Sequence, residues 1–102
     1  MRVLYKEPGK VPEEREIPNE LKDLQNLVGG YIETVRVADS AVLIMNVEGK
    51  LRGLEPNFFL GAIGDIIVGP VVIVGTDGED FCSLTSHDAE VIGGILRGGF
   101  EV

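Results

Sequence analysis

Residues 46–57, NVEGKLRGLEPN, decide how this chain is read. An apolar run, Ala41-Val42-Leu43-Ile44-Met45, enters the stretch, Glu48-Gly49 punctuates it, and Lys50-Leu51-Arg52 leaves with polar/apolar alternation. That pattern predicts a β-hairpin in which Gly49 takes the positive φ of a tight turn or bulge. It puts Lys50 and Arg52 on one face, two residues apart, and Leu51 on the other. No nucleophile, base or metal set stands beside these cations, so the stretch points to a fold before it points to a reaction.

Working outward, Arg2 to Tyr5 alternates as a first strand, Lys6 to Lys10 turns at Pro8-Gly9, and Arg15 to Ile17 returns. Asn19 is placed as the N-cap of a helix that carries Leu21, Leu24, Leu27 and Val28 on one face and ends at Gly29-Gly30. Tyr31 to Val37 is rich in β-branched residues and predicts a strand. Pro56 to Leu60 reads as one turn of helix or a capped corner. Asp65 to Val68 and Val71 to Val74 are strands, and Gly69-Pro70 between them marks an edge, a bulge or a crossing between sheets. After a polar turn at Thr76 to Asp80 come a short Phe81 to Leu84 segment and a capping box at Thr85 and Asp88. A last helix then shows Ala89, Ile92, Ile95 and Leu96 on one face. Residues 1–102 are therefore expected to form a single small α+β domain, a mostly antiparallel β-sheet with two helices. Val71-Val72-Ile73-Val74 has no alternation and should be covered on both faces. Since two modest helices leave little to cover it with, a homo-oligomer is expected.

The chain has 102 residues, 44% of them apolar, enough for one core. No apolar run reaches the roughly 18 residues of a membrane span, no secretory leader is read at the start, and Cys82 stands alone. A cytoplasmic protein without membrane contact is expected. Charge is uneven. Residues 1–52 hold eight of the nine basic residues and nine of the seventeen acids, a net −1, whereas residues 53–102 hold Arg97 alone against eight acids, a net −7. The total of −8 disfavours binding of nucleic-acid polymers by long-range repulsion, but leaves room for a small anion held by local donors.

Lys10, Arg36, Lys50 and Arg52, with Lys6 nearby, are candidates for a cationic pocket, because guanidinium and ammonium groups bind phosphate oxygens. The same residues also read as solvated strand and loop charges. Tyr31 is a candidate stacking platform for a base, or a partly buried tyrosine after a helix cap. Gly29-Gly30 and Gly98-Gly99 lack the spacing of a phosphate loop and lie at helix C-termini, where the dipole repels anions. Asp77, Glu79 and Asp80 lack the twelve-residue calcium frame. His87 and Cys82 are too few for a zinc site within one chain. No catalytic set, metal or cofactor is assigned, and the chain is expected not to be an enzyme.

Several segments together resemble a small-domain family of unknown function common in phages and mobile elements of Gram-positive bacteria. They are Pro8-Gly9-Lys10, Ile17-x-Asn19, Leu24-Gln25, Val28-Gly29-Gly30-Tyr31-Ile32-Glu33, Asn46-x-Glu48-Gly49-Lys50-Leu51-x-Gly53-Leu54-x-x-Asn57, Asp65-Ile66-Ile67-x-Gly69 and Glu79-Asp80-Phe81-x-Ser83-Leu84. The likeness spans about residues 3–85. It implies a fold and a mobile-element setting and brings no catalytic residues. Asn57 joins the candidate ligand residues here, while Phe58 stands where such proteins often place an arginine. The expectation is a noncatalytic counter-defence protein in the host bacterial cytosol, a sponge that sequesters a small nucleotide-type immune signal. The alternative is an acidic interaction factor that imitates nucleic acid and occupies a host defence protein.

Overall fold

The run Val71-Val72-Ile73-Val74 lies at the centre of the sheet, with no residue more than 2% exposed, in a computed structural model that describes residues 1–98. It forms most of β7 (Val71–Asp77), flanked by β1 (Arg2–Lys6) and β4 (Ala41–Asn46). β2 (Glu13–Glu16) extends the sheet beyond β1, β3 (Ile32–Ala38) extends it beyond β4, and β8 (Asp80–Cys82) pairs with the far end of β7. Every pairing is antiparallel. A separate ribbon joins β5 (Pro56–Leu60) to β6 (Asp65–Val68). Two helices complete the fold, α1 (Leu21–Val28) and α2 (Ser86–Arg97). This is an α+β domain, mostly antiparallel sheet with two helices.

Alternation assigns the two faces of β7 to different covers. Val72 and Val74 meet Val3, Tyr5, Val42 and Ile44 under Leu24 and Val28 of α1. Val71 and Ile73 meet Leu4 and Leu43 under the ribbon (Phe58, Leu60, Ile67) and α2 (Ala89, Leu96). Each such side chain removed from water contributes about 1.5–3 kcal/mol. The chain thus covers both faces itself, so the burial of this strand does not require a partner subunit.

The expected hairpin at 46–54 is absent. β4 ends at Asn46, and 47–53 coil into consecutive turns. The Asn46 Oδ1 accepts from the Glu48 N–H (2.8 Å), and its backbone carbonyl accepts from Gly49, which bends the chain off the ladder. Arg52 N–H then bonds the Glu48 carbonyl and Leu54 N–H the Gly49 carbonyl, both at 2.9 Å. Leu51 is 85% exposed, so the alternation around it reported no buried face. Gly49 does not have a positive φ; the left-handed glycine of this loop is Gly53 (φ +67°). Gly49 is required for space, because a Cβ there would lie 2.8 Å from Val68 Cγ2.

Pro56 to Leu60 is a strand rather than a helical turn, and its register with β6 shifts between Pro56 and Phe58. The residue at that irregularity, Asn57, turns its amide inward. Its Nδ2 donates to the carbonyls of Lys6 (3.0 Å) and Gly69 (2.8 Å), and its Oδ1 accepts from Lys6 Nζ at 2.6 Å. Lys6 is itself buried, 5.8 Å over the Phe58 ring, and burial pushes its ammonium pKa below the usual 10.5. This latch ties the ribbon to the end of β1. Of the three readings the sequence left open for Gly69-Pro70, the structure selects the crossing between the two sheets.

Smaller departures have local causes. Asn19 does not cap α1: its amide donates to the Phe81 carbonyl, and Glu20 holds the cap position without a side-chain bond. Leu21 and Ile95 are exposed at helix edges. Thr85 caps α2 through the Asp88 N–H, but the Asp88 carboxylate turns to Ser40 Oγ and leaves the capping box half formed. Gly98 is the C-cap of α2, and Gly99 lies outside the described residues.

Replacing Gly49 by Ala is expected to cost about 1–2 kcal/mol by overpacking, with Gly49→Asn no milder, and Val68→Ala should recover part of the loss. Equal urea midpoints for wild type and both Gly49 variants would refute this close approach. Asn57→Ala strands two buried carbonyls and the Lys6 ammonium and should cost about 3 kcal/mol by the same measurement. The folded chain releases the Lys6 proton before the unfolded chain does. Stability of the wild type relative to Lys6→Met should therefore rise with pH from below 10.5 up to that value, as a pH series of urea melts would show; a flat difference would contradict it.

Candidate functional site

α1 ends at Gly29 in the left-handed conformation (φ +83°), with the Gly29 and Gly30 N–H groups both returning to the Gln25 carbonyl. Two side chains from the loop after β4 complete this end. Asn46, buried, donates its Nδ2 to the Val28 carbonyl at 3.2 Å, and Arg52 donates Nη1 to the Gly29 carbonyl at 2.9 Å. These are the carbonyls a helix end leaves without intrahelical partners. Gly30 leaves no room for a side chain, since a Cβ would stand 2.9 Å from the Asn46 amide nitrogen and 3.2 Å from the Arg52 guanidinium. The close clip between helix end and loop holds Gly29 and Gly30, which border a cleft.

That cleft, about 450 Å³, is lined by Gln25, Asn26, Gly29, Gly30, Tyr31 and Glu48. Tyr31 is 71% exposed, held just ahead of β3 by a bond from the Val47 N–H to its carbonyl. Its ring offers a flat apolar face to solvent at the edge of a polar hollow. Gln25 and Asn26 provide amides that donate and accept. The Glu48 carboxylate and the negative end of the α1 dipole favour N–H donors over anions in the hollow itself. Arg52 stands behind Gly29 and Gly30, and the bond to Gly29 uses one of its five N–H groups.

Of the six residues read from the sequence as ligand contacts, Tyr31 alone lines this cleft, and Arg52 adjoins it from behind through its bond to the Gly29 carbonyl. Lys10 lies in the β1–β2 loop, 70% exposed, and pairs with Glu7 at 3.1 Å. Arg36 sits toward the far end of β3 and donates to the Asp39 carbonyl at 2.8 Å. Five residues of strand, about 16 Å, separate it from Tyr31. Lys50 pairs with Asp65, and that bond, with the Ile66 N–H, holds the Asp65 carboxyl below its usual value. Asn57 is excluded as a surface contact, because its buried amide is consumed by Lys6 and Gly69. The single cationic pocket expected from the sequence is thus dispersed over several elements, each cation having found a local carboxylate or carbonyl.

Gln25, Asn26 and Glu48 were not singled out from the sequence. Asn26 lies on the face of α1 opposite Leu24 and Val28 and Gln25 on its half-buried flank, a signal available from helical phase, but Glu48 reaches the cleft only because the loop coils. A larger open cleft of about 570 Å³ lies between β1–β2 and α2, where Arg2 and Arg97 face Glu14, Glu16 and Glu90. Arg15 also borders it, yet its guanidinium stacks 4.2 Å from the Tyr5 ring and pairs with Glu13. Two arginines against three glutamates do not favour an anion there. Among the described residues, no three His, Cys, Asp or Glu side chains converge to hold a metal, and no helix is long and apolar enough to cross a membrane.

Comparison with known families matches residues 1–96 to the family described as Domain of unknown function (DUF3846). No curated protein and no solved structure matches the chain.

Proposed function

We propose, from the premise that the chain belongs to the DUF3846 family, that this protein is a noncatalytic capture protein which holds a small nucleotide-type ligand by its base in the Tyr31 cleft. In this reading it is a phage or mobile-element factor that withdraws a nucleotide immune signal in the bacterial cytosol. The observation that carries it is the exposed Tyr31 ring at the edge of a hollow bordered by Gln25, Asn26 and Glu48, next to a helix end that Asn46 and Arg52 tie to the loop. Stacking on an aromatic ring contributes about 1–3 kcal/mol per base. The Gln25 and Asn26 amides are suited to a base edge, and the Glu48 carboxylate and the α1 carbonyl end suit exocyclic amino or ring N–H groups. Arg52 is the one cation of the original set that adjoins the cleft, behind Gly29, and in this reading its remaining N–H groups meet a phosphate that extends past that glycine. Capture by these contacts needs no bond to form or break.

Calorimetry against a panel of cyclic dinucleotides and ADP-ribose-type messengers tests the reading. Tyr31→Ala should weaken binding by about 5- to 150-fold, whereas Tyr31→Phe should retain it. Arg52→Ala should weaken phosphate-bearing ligands more than the matching nucleosides. Arg97→Ala, on the opposite face of the sheet, should leave binding unchanged. Ligand recovered after heat denaturation should be intact; a chemically altered ligand would make the protein an enzyme. An absence of heat with every ligand would remove the capture reading in favour of an acidic interaction factor.

A further inference from the structure

The two long edges of the main sheet are treated differently by the sequence. On one side, β2 is four charged residues, Glu13-Glu14-Arg15-Glu16, bracketed by Pro12 and Pro18, and so offers little to an incoming strand. On the other side, β3 runs seven residues without proline and pairs only with β4 among the described residues. The direction of its unpaired groups follows from register. Tyr31 lies across from Val47 and accepts its N–H, in the same frame that pairs Ile32 with Asn46 through Arg36 with Val42. Hydrogen-bonded and non-hydrogen-bonded positions alternate along an antiparallel pair. Glu33 and Val35 therefore bond to β4, and the N–H and C=O groups of Ile32, Thr34 and Arg36 point away from it. Regular pairing stops at the irregularity between Arg36 and Ala38, which makes Thr34 the midpoint of the regular segment.

We propose that the free edge of β3 pairs antiparallel with β3 of a second copy of this chain, about a two-fold axis at Thr34. In that register Thr34 meets Thr34, and Ile32 meets Arg36 on each side. All the outward groups of Ile32, Thr34 and Arg36 then find partners, in about six hydrogen bonds. A whole net charge of −8 opposes self-association, but β3 is locally neutral, with Glu33 and Arg36 as its only charges. The same register sets no like charges opposite: Arg36 faces Ile32, Glu33 faces Val35, and a central Thr–Thr pair is favourable. A single sheet then runs through both copies. A second copy is favoured over an unrelated strand because the segment is complementary to itself in both hydrogen-bonding groups and charge. This inference stands independently of the ligand reading.

Light scattering after size exclusion of the full chain, loaded at micromolar concentration, should give twice the 11.0 kDa chain mass. Thr34→Pro removes an outward N–H that the β4 ladder does not use, so the variant should keep its circular dichroism spectrum and become monomeric. Thr34→Lys places like charges across the axis and should weaken the dimer severalfold, with relief by salt; it decides the matter if the proline variant does not fold. A monomeric wild type would overturn the proposal. So would folded Thr34→Pro and Thr34→Lys proteins that dimerise as the wild type does.

Discussion

Burial of β7 on both faces is the constraint from which the other elements take their positions. An antiparallel strand with one wet face alternates, but Val71 to Val74 does not, and water must be kept from both sides. A chain of this size meets that demand with two unlike covers: the short α1 on one face, and the ribbon with α2 on the other. The ribbon has its own small sheet and would be free to slide over apolar contacts, which have no direction. The Lys6–Asn57–Gly69 bonds supply the direction. A buried lysine is costly when charged, and the short bond to Asn57 with the nearby Phe58 ring offsets part of that cost.

The loop between β4 and β5 shows how a connection required by the fold becomes part of a candidate site. The chain must leave the main sheet at Asn46 and enter the ribbon at Pro56. It does so by coiling, and in passing supplies Asn46 and Arg52 to the end of α1. Those bonds close orphan carbonyls of a helix only eight residues long, which has no side-chain N-cap and depends on tertiary contacts for its stability. Tyr31 stands two residues after the Gly29 cap, so its backbone is placed by the same clip.

Electrostatics separates two questions that the sequence merges. Net charge governs approach at long range, whereas capture depends on which donors remain free after the protein has satisfied its own acceptors. Lys10 and Lys50 are engaged by Glu7 and Asp65, and Arg36 by a main-chain carbonyl. Such exposed pairs are weak, about 0–1 kcal/mol each, but they show that the cations are not convergent.

What the sequence determined by itself was the α+β class, the strands β1, β3, β4, β6 and β7, the two helices, a break at Gly69-Pro70 and the two-sided burial of Val71 to Val74. Each of these follows from periodicity or from a residue with a fixed backbone demand. The helix end at Gly29 was legible for the same reason, and Tyr31 beside it was legible as an amphipathic ring. Tertiary structure alone decided that 47–54 coils rather than pairs, because an Asn46 side-chain bond and the need to reach a second sheet outweigh a three-residue alternation with no burial behind it. It also decided that Gly49 is needed for space beside Val68, that Asn57 belongs to the core and that the cations are dispersed. The place of Asn57 rests on bonds of about 3 Å between residues 51 positions apart and that of Gly49 on a close approach to Val68, and neither leaves a periodic trace in a sequence; the cations are drawn apart by partners nearer to hand.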